Sequence, residues 1–269
     1  MFRPRRGRLK GQSFNKMIPN ILTMLALCAG LTALRFGLEE NWEAAVLSLV
    51  VAAVLDALDG RVARLLRGTS KFGAELDSLS DFIGFGVAPA LLLYLWTMKD
   101  AGPIGWVMVL LFGICCALRL ARFNTNIDGP DLPAWAKNFF TGVPAPAGGG
   151  LVLLPLILSF QIESPIVRDP VVVGLTIVAV AFLLVSRLPT FSFKNFRVSQ
   201  RFVLPTMLLV GLVAAFSVSA PWLTLTMIMC LYIASLPFAP RAFKKLEREA
   251  EKLSPGEDGG QKRGNTGGD

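Results

Sequence analysis

Four aspartates interrupt an otherwise apolar part of the chain: Asp56, Asp59, Asp77 and Asp81. We call them the aspartate quartet. Residues three or four positions apart share one face of a helix, so the quartet predicts an acidic stripe on each of two helices. Four carboxylates that face one another cannot all stay ionised without a compensating positive charge. Oxygen ligands suit Mg²⁺ or Mn²⁺, and two such ions would neutralise the quartet and bind a diphosphate.

The residues beside the quartet are suited to a phosphate ligand. Gly60 and Gly73 fall on the two acidic stripes, and because neither has a side chain, a ligand can approach the backbone closely there. Arg64 and Ser70 offer a positive charge and a hydroxyl that can hydrogen-bond to phosphate. The stretch therefore predicts a phosphate-binding metal site.

The alternative for the quartet is structural ion pairing with nearby basic residues. Carboxylates within membrane segments are costly to bury and are usually functional, which favours the metal site. Glu75 lies off the stripe, and we expect it on a solvated face. The basic residues available for pairing are Arg61, Arg64, Arg67 and Lys71.

Two antiparallel helices are needed to bring the stripes together, and the short link at residues 67–70 makes them neighbours. The chain has 269 residues, 53% of them hydrophobic, and a mean hydropathy of +0.56. This composition predicts an all-α integral membrane protein with about eight transmembrane helices in one bundle. The predicted spans are residues 17–37, 42–64, 72–97, 103–123, 141–161, 170–187, 203–218 and 221–238.

The distribution of positive charge predicts the orientation. With eight spans, 24 of the 27 Lys and Arg residues fall on the side of the N-terminus. Positive residues are enriched in cytoplasmic loops, so both termini are expected in the cytoplasm, with the active site at the cytoplasmic ends of helices 2 and 3. We expect a basic cytoplasmic arm (1–16), a membrane domain (17–240) and a charged, largely disordered tail (241–269).

Composition also excludes several kinds of site. The sequence has no histidine, which rules out His-based triads and HExxH zinc sites. Its four cysteines lie in apolar stretches without metal-ligand spacing, so we expect no disulfide framework. The net charge is +8, but the basic residues lie between apolar runs, which favours an anionic membrane surface over nucleic acid.

The stretch from Asp56 to Asp81 resembles the signature of the CDP-alcohol phosphatidyltransferases, D-x-x-D-G-x-x-A-R-x8-G-x3-D-x3-D. Members of that family transfer a phosphatidyl group from a CDP-linked lipid to an alcohol and release CMP. The resemblance implies a dinuclear metal site made by the quartet, with Asp81 also the base that deprotonates the acceptor hydroxyl. All eight fixed positions match: Asp56, Asp59, Gly60, Ala63, Arg64, Gly73, Asp77 and Asp81.

The resemblance also assigns residues to the CDP-lipid. Gly60, Arg64, Ser70 and Gly73 map onto positions that hold the CDP group. The family carries an Asn-x-x-Thr motif in its first helix near the nucleotide, and Asn20 and Thr23 fit it. For this pair, an N-terminal helix cap is an equally good interpretation. The sequence itself does not give the oligomeric state; a homodimer is suggested by the resemblance alone, since family members often form dimers.

The sequence around the motif is similar to that of the integral-membrane phosphatidylserine synthases. FGAELDSLSDFIGFGVAPA, RLARFN (119–124) with TGVPAPA (141–147), and SRLPTFSFK (186–194) carry this similarity. It implies CDP-diacylglycerol and L-serine as substrates in a cell membrane. Serine needs a base near its hydroxyl and a cation for its carboxylate. The residues expected to contact the acceptor or a lipid phosphate are Arg119, Arg122, Asn124 and Lys194, with anchoring at the cytoplasmic surface as the alternative.

Two other functions remain open from the sequence. A sister transferase would use glycerol 3-phosphate, inositol, inositol phosphate or choline in place of serine. An ion-coupled transporter would also place carboxylates in membrane helices. Transporters often carry inverted repeats and broken helices at mid-membrane, whereas this acidic cluster lies at a helix end beside basic residues.

Overall fold

A computed structural model of the chain describes residues 17–66, 70–127, 139–191, 202–243 and 246. The described part is mostly helical, and a helix occupies each range in which a span was predicted. Lys194, Arg67 and the two terminal segments lie outside the described residues. The helices are α1 (Ile18–Leu38), α2 (Trp42–Leu65), α3 (Lys71–Asp81), α4 (Ala88–Trp96), α5 (Gly102–Ile127), α6 (Ala145–Val152), α7 (Leu154–Ser159), α8 (Pro170–Val185), α9 (Val203–Ser219) and α10 (Pro221–Ser235).

Three helical segments are long and apolar enough to cross a membrane: Ile18–Leu38, Lys71–Trp96 and Met98–Thr125. The shorter helices α8, α9 and α10 are also apolar. Large hydrophobic side chains are exposed along many of these helices, as expected for surfaces that face lipid. The chain is therefore a helical, multi-pass membrane protein.

The core is formed where the helices pack on one another. α1 and α2 pack along their lengths, and α5 packs against α8. Phe112 of α5, Leu92 and Leu93 of α4 and Ile177 of α8 are fully buried in this core. The core holds α2 and α3 beside α1, which positions the aspartate quartet.

α3 and α4 are joined by a π-helical segment, Phe82–Val87, that begins directly after Asp81. The π turn packs against α5 and α6 through the buried Gly84, Phe85 and Gly86. Short π-helical segments within α-helices are frequent at functional sites. Here the segment follows the last aspartate of the quartet.

The all-α prediction misses a small antiparallel sheet. Strand β1 (Phe139–Thr141) pairs with β2 (Pro189–Phe191), which lies within the predicted cytoplasmic loop. The predicted span 141–161 is also divided, because α6 ends at Val152 and α7 begins at Leu154. Pro155 in the first turn of α7 lacks an N–H group and its ring clashes with a continuing helix, which explains the break.

Candidate active site

The aspartate quartet comes together between α2 and α3. Carboxylate oxygens of Asp56, Asp59 and Asp77 all lie within 4.8 Å of one another, so one cation can contact all three. Asp81 lies beside Asp56, within reach of its carboxyl group. Asp59 is buried and the other three are partly exposed. This set of oxygen ligands fits a hard divalent cation.

Asp81 has one carboxylate oxygen that lacks a hydrogen-bond partner among the described residues. Its Oδ1 atom is buried and makes no hydrogen bond with any residue that the structure describes. It interacts electrostatically with Asp56, Asp77 and the buried Arg119. Buried polar atoms are normally hydrogen-bonded, so an unsatisfied carboxylate oxygen here is consistent with a metal or substrate contact.

Structural ion pairing finds no support in the described part of the chain. Within it, one salt bridge is present, between Arg35 and Glu39, far from the quartet in sequence. Arg61, Arg64 and Lys71 make no salt bridge with an aspartate there. Glu75 is exposed, as its position off the stripe predicts.

Helix α1 supports the quartet through Thr23. Its hydroxyl donates a 2.5 Å hydrogen bond to Oδ2 of Asp59, and its backbone carbonyl accepts one of 3.3 Å from Ser80 in α3. The helix-cap interpretation of Asn20 and Thr23 is wrong, because α1 begins at Ile18 and no side chain caps it. Thr23 therefore links α1 to both of the helices that carry the aspartates.

A polar pocket of about 470 Å³ opens between α1, α2 and α3. All six residues expected to bind the CDP-lipid line it, together with two members of the quartet. Sequence reasoning thus selected residues that share one cavity. They are Asn20, Thr23, Gly60, Arg64, Ser70 and Gly73, beside Asp59 and Asp77.

The two glycines in this pocket differ in their surroundings. A Cβ atom at Gly73 would lie 2.8 Å from Oδ1 of Asn20, so a side chain here would displace the Asn20 amide. A Cβ atom at Gly60 would meet nothing within 4 Å, so it would project into open space. Ser70 has a local role as well, since its hydroxyl accepts the Gly73 N–H at 3.0 Å and caps α3.

An apolar cavity of about 360 Å³ lies on another side of α2. Its walls come from α2, the π-helical segment, α4, α6, α7 and α10, and Arg61 also lines it. Residues far apart in the chain form this cavity, so no local sequence pattern predicts it. Gly149 and Gly150 of α6 also line it, and their lack of a side chain lets α6 pack closely against Phe85 and Met229. Its other apolar wall residues include Ala53, Ala57, Phe85, Leu153, Leu225 and Met229.

The residues expected at the acceptor are brought together only in part. Arg119 is buried, with 9% of its surface exposed, and its Nε donates to the Val143 carbonyl at 2.7 Å. Arg122 donates to the Val185 carbonyl at 2.8 Å, which ties α5 to the end of α8. Asn124 donates to the Ser78 hydroxyl at 2.8 Å. Of these residues, Arg119 interacts with the quartet.

Comparison with known proteins is decisive for the family. Residues 16–186 match the family profile described as CDP-alcohol phosphatidyltransferase, and residues 201–237 match a second, CDP-alcohol phosphatidyltransferase 2. The chain belongs to the CDP-alcohol phosphatidyltransferase family. The first match contains the whole aspartate quartet, and the second contains all of α9 and α10.

Several curated members of the CDP-alcohol phosphatidyltransferase family are similar to the chain over most of its length. A Mycobacterium leprae protein named CDP-diacylglycerol–serine O-phosphatidyltransferase is 40% identical over 224 residues, which cover 83% of this chain and 74% of the relative. A Mycobacterium tuberculosis protein of the same name is 39% identical over 236 residues, which cover 88% of this chain and 82% of the relative. A Bacillus subtilis protein of that name is 34% identical over 178 residues, which cover 66% of this chain and 92% of the relative.

Proposed function

We propose that the chain transfers the phosphatidyl group of CDP-diacylglycerol to the hydroxyl of L-serine, forming phosphatidylserine and CMP. The observation that carries this proposal is a cavity lined by Asp59 and Asp77 of the quartet together with Arg64, while an apolar cavity lies on another side of the same helix, α2. A polar cavity with Arg64 suits a nucleotide diphosphate, and an apolar cavity suits the acyl part of a lipid. The names of the relatives favour serine as the acceptor.

The quartet is the proposed ligand set for two divalent ions, Mg²⁺ or Mn²⁺. Three carboxylates within contact distance of a single point, and a fourth with an unsatisfied oxygen, support this assignment. When bound, such ions supply positive charge that offsets the negative charge developing on the departing CMP. Activity should disappear in EDTA and return with Mn²⁺ or Mg²⁺; activity that is indifferent to chelator would exclude the metal site.

The reaction is a single displacement at the β-phosphorus. The serine oxygen forms a bond to that phosphorus, the bond to the oxygen bridging the two phosphorus atoms breaks, and CMP departs with that oxygen. Asp81 takes the proton of the serine hydroxyl, a role supported by its buried, unpartnered oxygen. Asn20, Thr23, Gly60, Arg64, Ser70 and Gly73 are the proposed contacts of the CDP group.

The proposed topology has eight crossings of the cell membrane. Both termini, the arm 1–16 and the tail 241–269 would face the cytoplasm, with 17–240 as the membrane domain and the quartet at the cytoplasmic ends of α2 and α3. The charge asymmetry supports this orientation. Alkaline phosphatase fused to either terminus should be inactive, and a fluorescent protein fused there should be bright. The reverse result would show that the termini lie outside the cytoplasm. The expected homodimer is a separate prediction, which light scattering of the detergent-solubilised protein would test.

The central experiment uses the purified full-length protein. Incubation with CDP-diacylglycerol, Mn²⁺ and labelled serine should give labelled phosphatidylserine and an equal amount of CMP. Parallel reactions with glycerol 3-phosphate, inositol, inositol phosphate and choline control for the acceptor. If one of these other alcohols gives product and serine gives none, the chain is a sister transferase that uses that alcohol as its acceptor. No product with any alcohol would contradict phosphatidyl transfer.

A further inference from the structure

A second group of polar side chains meets around Arg119. Tyr232 of α10 lies within electrostatic range of Arg119 and beside Thr190 of β2. The Tyr232 hydroxyl is buried, and it makes no hydrogen bond of ordinary geometry with a residue that the structure describes. A buried hydroxyl without a partner is unfavourable unless a ligand or water satisfies it.

Two buried side-chain atoms lack a hydrogen-bond partner in the described part of the chain: Oδ1 of Asp81 and the hydroxyl of Tyr232. Both residues interact with Arg119. Arg119 uses its Nε for the Val143 carbonyl, so its two terminal amino groups are available for another acceptor. Asp81 thus offers an acceptor, and Arg119 and Tyr232 offer donors, around the same place.

We propose that Asp81, Arg119 and Tyr232 form the binding site for the acceptor amino acid, and that Tyr232 hydrogen-bonds to its carboxylate. This inference rests on the proposed function. Arg119 binds the same carboxylate through its guanidinium, while the hydroxyl of the amino acid faces Asp81. The last helix therefore contributes directly to the recognition of the acceptor.

The charges favour a carboxylate over a phosphate in this site. One guanidinium and one neutral phenol provide a single positive charge, which matches a carboxylate. A phosphate dianion would bring more negative charge close to Asp81 and the rest of the quartet. Thr190 does not compete for the anion, because its hydroxyl already donates to the Gly142 carbonyl at 2.8 Å.

The test is the Tyr232→Phe variant of the full-length protein, assayed with CDP-diacylglycerol, Mn²⁺ and labelled serine. Loss of one hydrogen bond to a charged group should raise KM for serine about tenfold or more. We expect kcat to stay within about twofold and KM for CDP-diacylglycerol to stay unchanged. Tyr94→Phe is the matched control, since Tyr94 is the other tyrosine of the chain and packs edge-on against Trp106. An unchanged serine KM in Tyr232→Phe would overturn the inference.

A second acceptor separates recognition from structural damage. Serinol has the hydroxyl and the amine of serine but no carboxylate, so wild-type protein should use it poorly. The ratio of kcat/KM for serine to kcat/KM for serinol should fall about tenfold in Tyr232→Phe. An equal fall in kcat/KM for both acceptors would contradict carboxylate binding by Tyr232. Wild-type protein that converts another alcohol but not serine would refute the proposed function itself, before any variant is compared.

Discussion

The hydroxyl of Thr23 in α1 donates a 2.5 Å hydrogen bond to Oδ2 of Asp59 in α2. Both residues are buried. The bond orients one carboxylate of the quartet from a helix that carries none of them. Groups that orient metal ligands affect metal affinity although they do not touch the metal. Thr23 therefore provides a test of the metal site that leaves all four aspartates in place.

Thr23→Val should weaken metal binding by about 10–100-fold, because valine keeps the shape of the side chain and removes its hydroxyl. The measurement is a titration of activity with Mn²⁺ after chelation. Thr23→Ser is the control, since it retains the donor and should respond like the wild type. A Thr23→Val protein with wild-type Mn²⁺ dependence would show that the hydrogen bond does not serve a metal ligand.

Asp81→Asn and Asp59→Asn should affect turnover and lipid binding to different extents. The amide introduced by Asp81→Asn cannot accept the hydroxyl proton, so turnover should be abolished while much of the binding of CDP-diacylglycerol survives. Asp59→Asn replaces a buried carboxylate of the proposed metal site. It should weaken both turnover and the binding of CDP-diacylglycerol. Turnover is measured by CMP release and binding with labelled lipid.

Glu75→Gln is the control for these two substitutions, because Glu75 is an exposed acid on the same helix as Asp81. It should have wild-type activity. Near-normal turnover in Asp81→Asn would exclude a role for Asp81 as the base.

The sequence predicts the parts of the site that depend on local spacing. The two acidic stripes follow from intervals of three and four residues, and the helices that carry them follow from long apolar runs. The family resemblance then assigns each aspartate a role, which spacing alone does not. The resemblance also assigns Asn20 and Gly73, which are far apart in sequence, to the same CDP-lipid site.

Other features depend on contacts between distant segments. The pairing of Phe140 with Thr190 in the small sheet joins residues fifty positions apart, with no alternating pattern to reveal it. Tyr232 lies in a uniformly apolar helix, where a lone tyrosine gives no sign of its neighbours. The apolar cavity likewise forms only when six separate helical segments pack together.

Gly142→Ala should destabilise the protein and disturb the acceptor side of the site. Gly142 has a φ of 78°, which costs other residues about 1–2 kcal/mol, and an added Cβ would lie 2.7 Å from the Ser186 carbonyl oxygen. The carbonyl of the next residue, Val143, holds Arg119. We therefore expect a lower melting temperature in detergent and a higher KM for serine.

Gly211→Ala is the matched control for Gly142→Ala. Gly211 lies in α9, where an added Cβ would meet nothing within 4 Å. Its melting temperature should be equal to that of the wild type or higher, because alanine is favoured over glycine inside a helix. If both variants melt like the wild type, the turn at Gly142 tolerates a side chain and the argument from φ fails.

Gly60→Ala and Gly73→Ala should both weaken CDP-diacylglycerol binding, but through different neighbours. At Gly60 the new methyl group would project into the pocket itself, so KM for CDP-diacylglycerol should rise about tenfold while the melting temperature does not fall. At Gly73 it would displace the Asn20 side chain, whose Oδ1 lies 2.8 Å away from the added atom. The loss of binding in Gly73→Ala should then be a loss of the Asn20 contact.

A double-mutant cycle with Asn20→Ala distinguishes the two routes. Once Asn20 is truncated, Gly73→Ala has no amide to displace, so the double variant should bind CDP-diacylglycerol about as well as Asn20→Ala alone. Gly60→Ala acts on the ligand directly, so its effect should add to that of Asn20→Ala, since independent sites are additive to within a few tenths of a kcal/mol. Additive effects at both glycines would mean that Gly73 contacts the ligand itself instead of making room for Asn20.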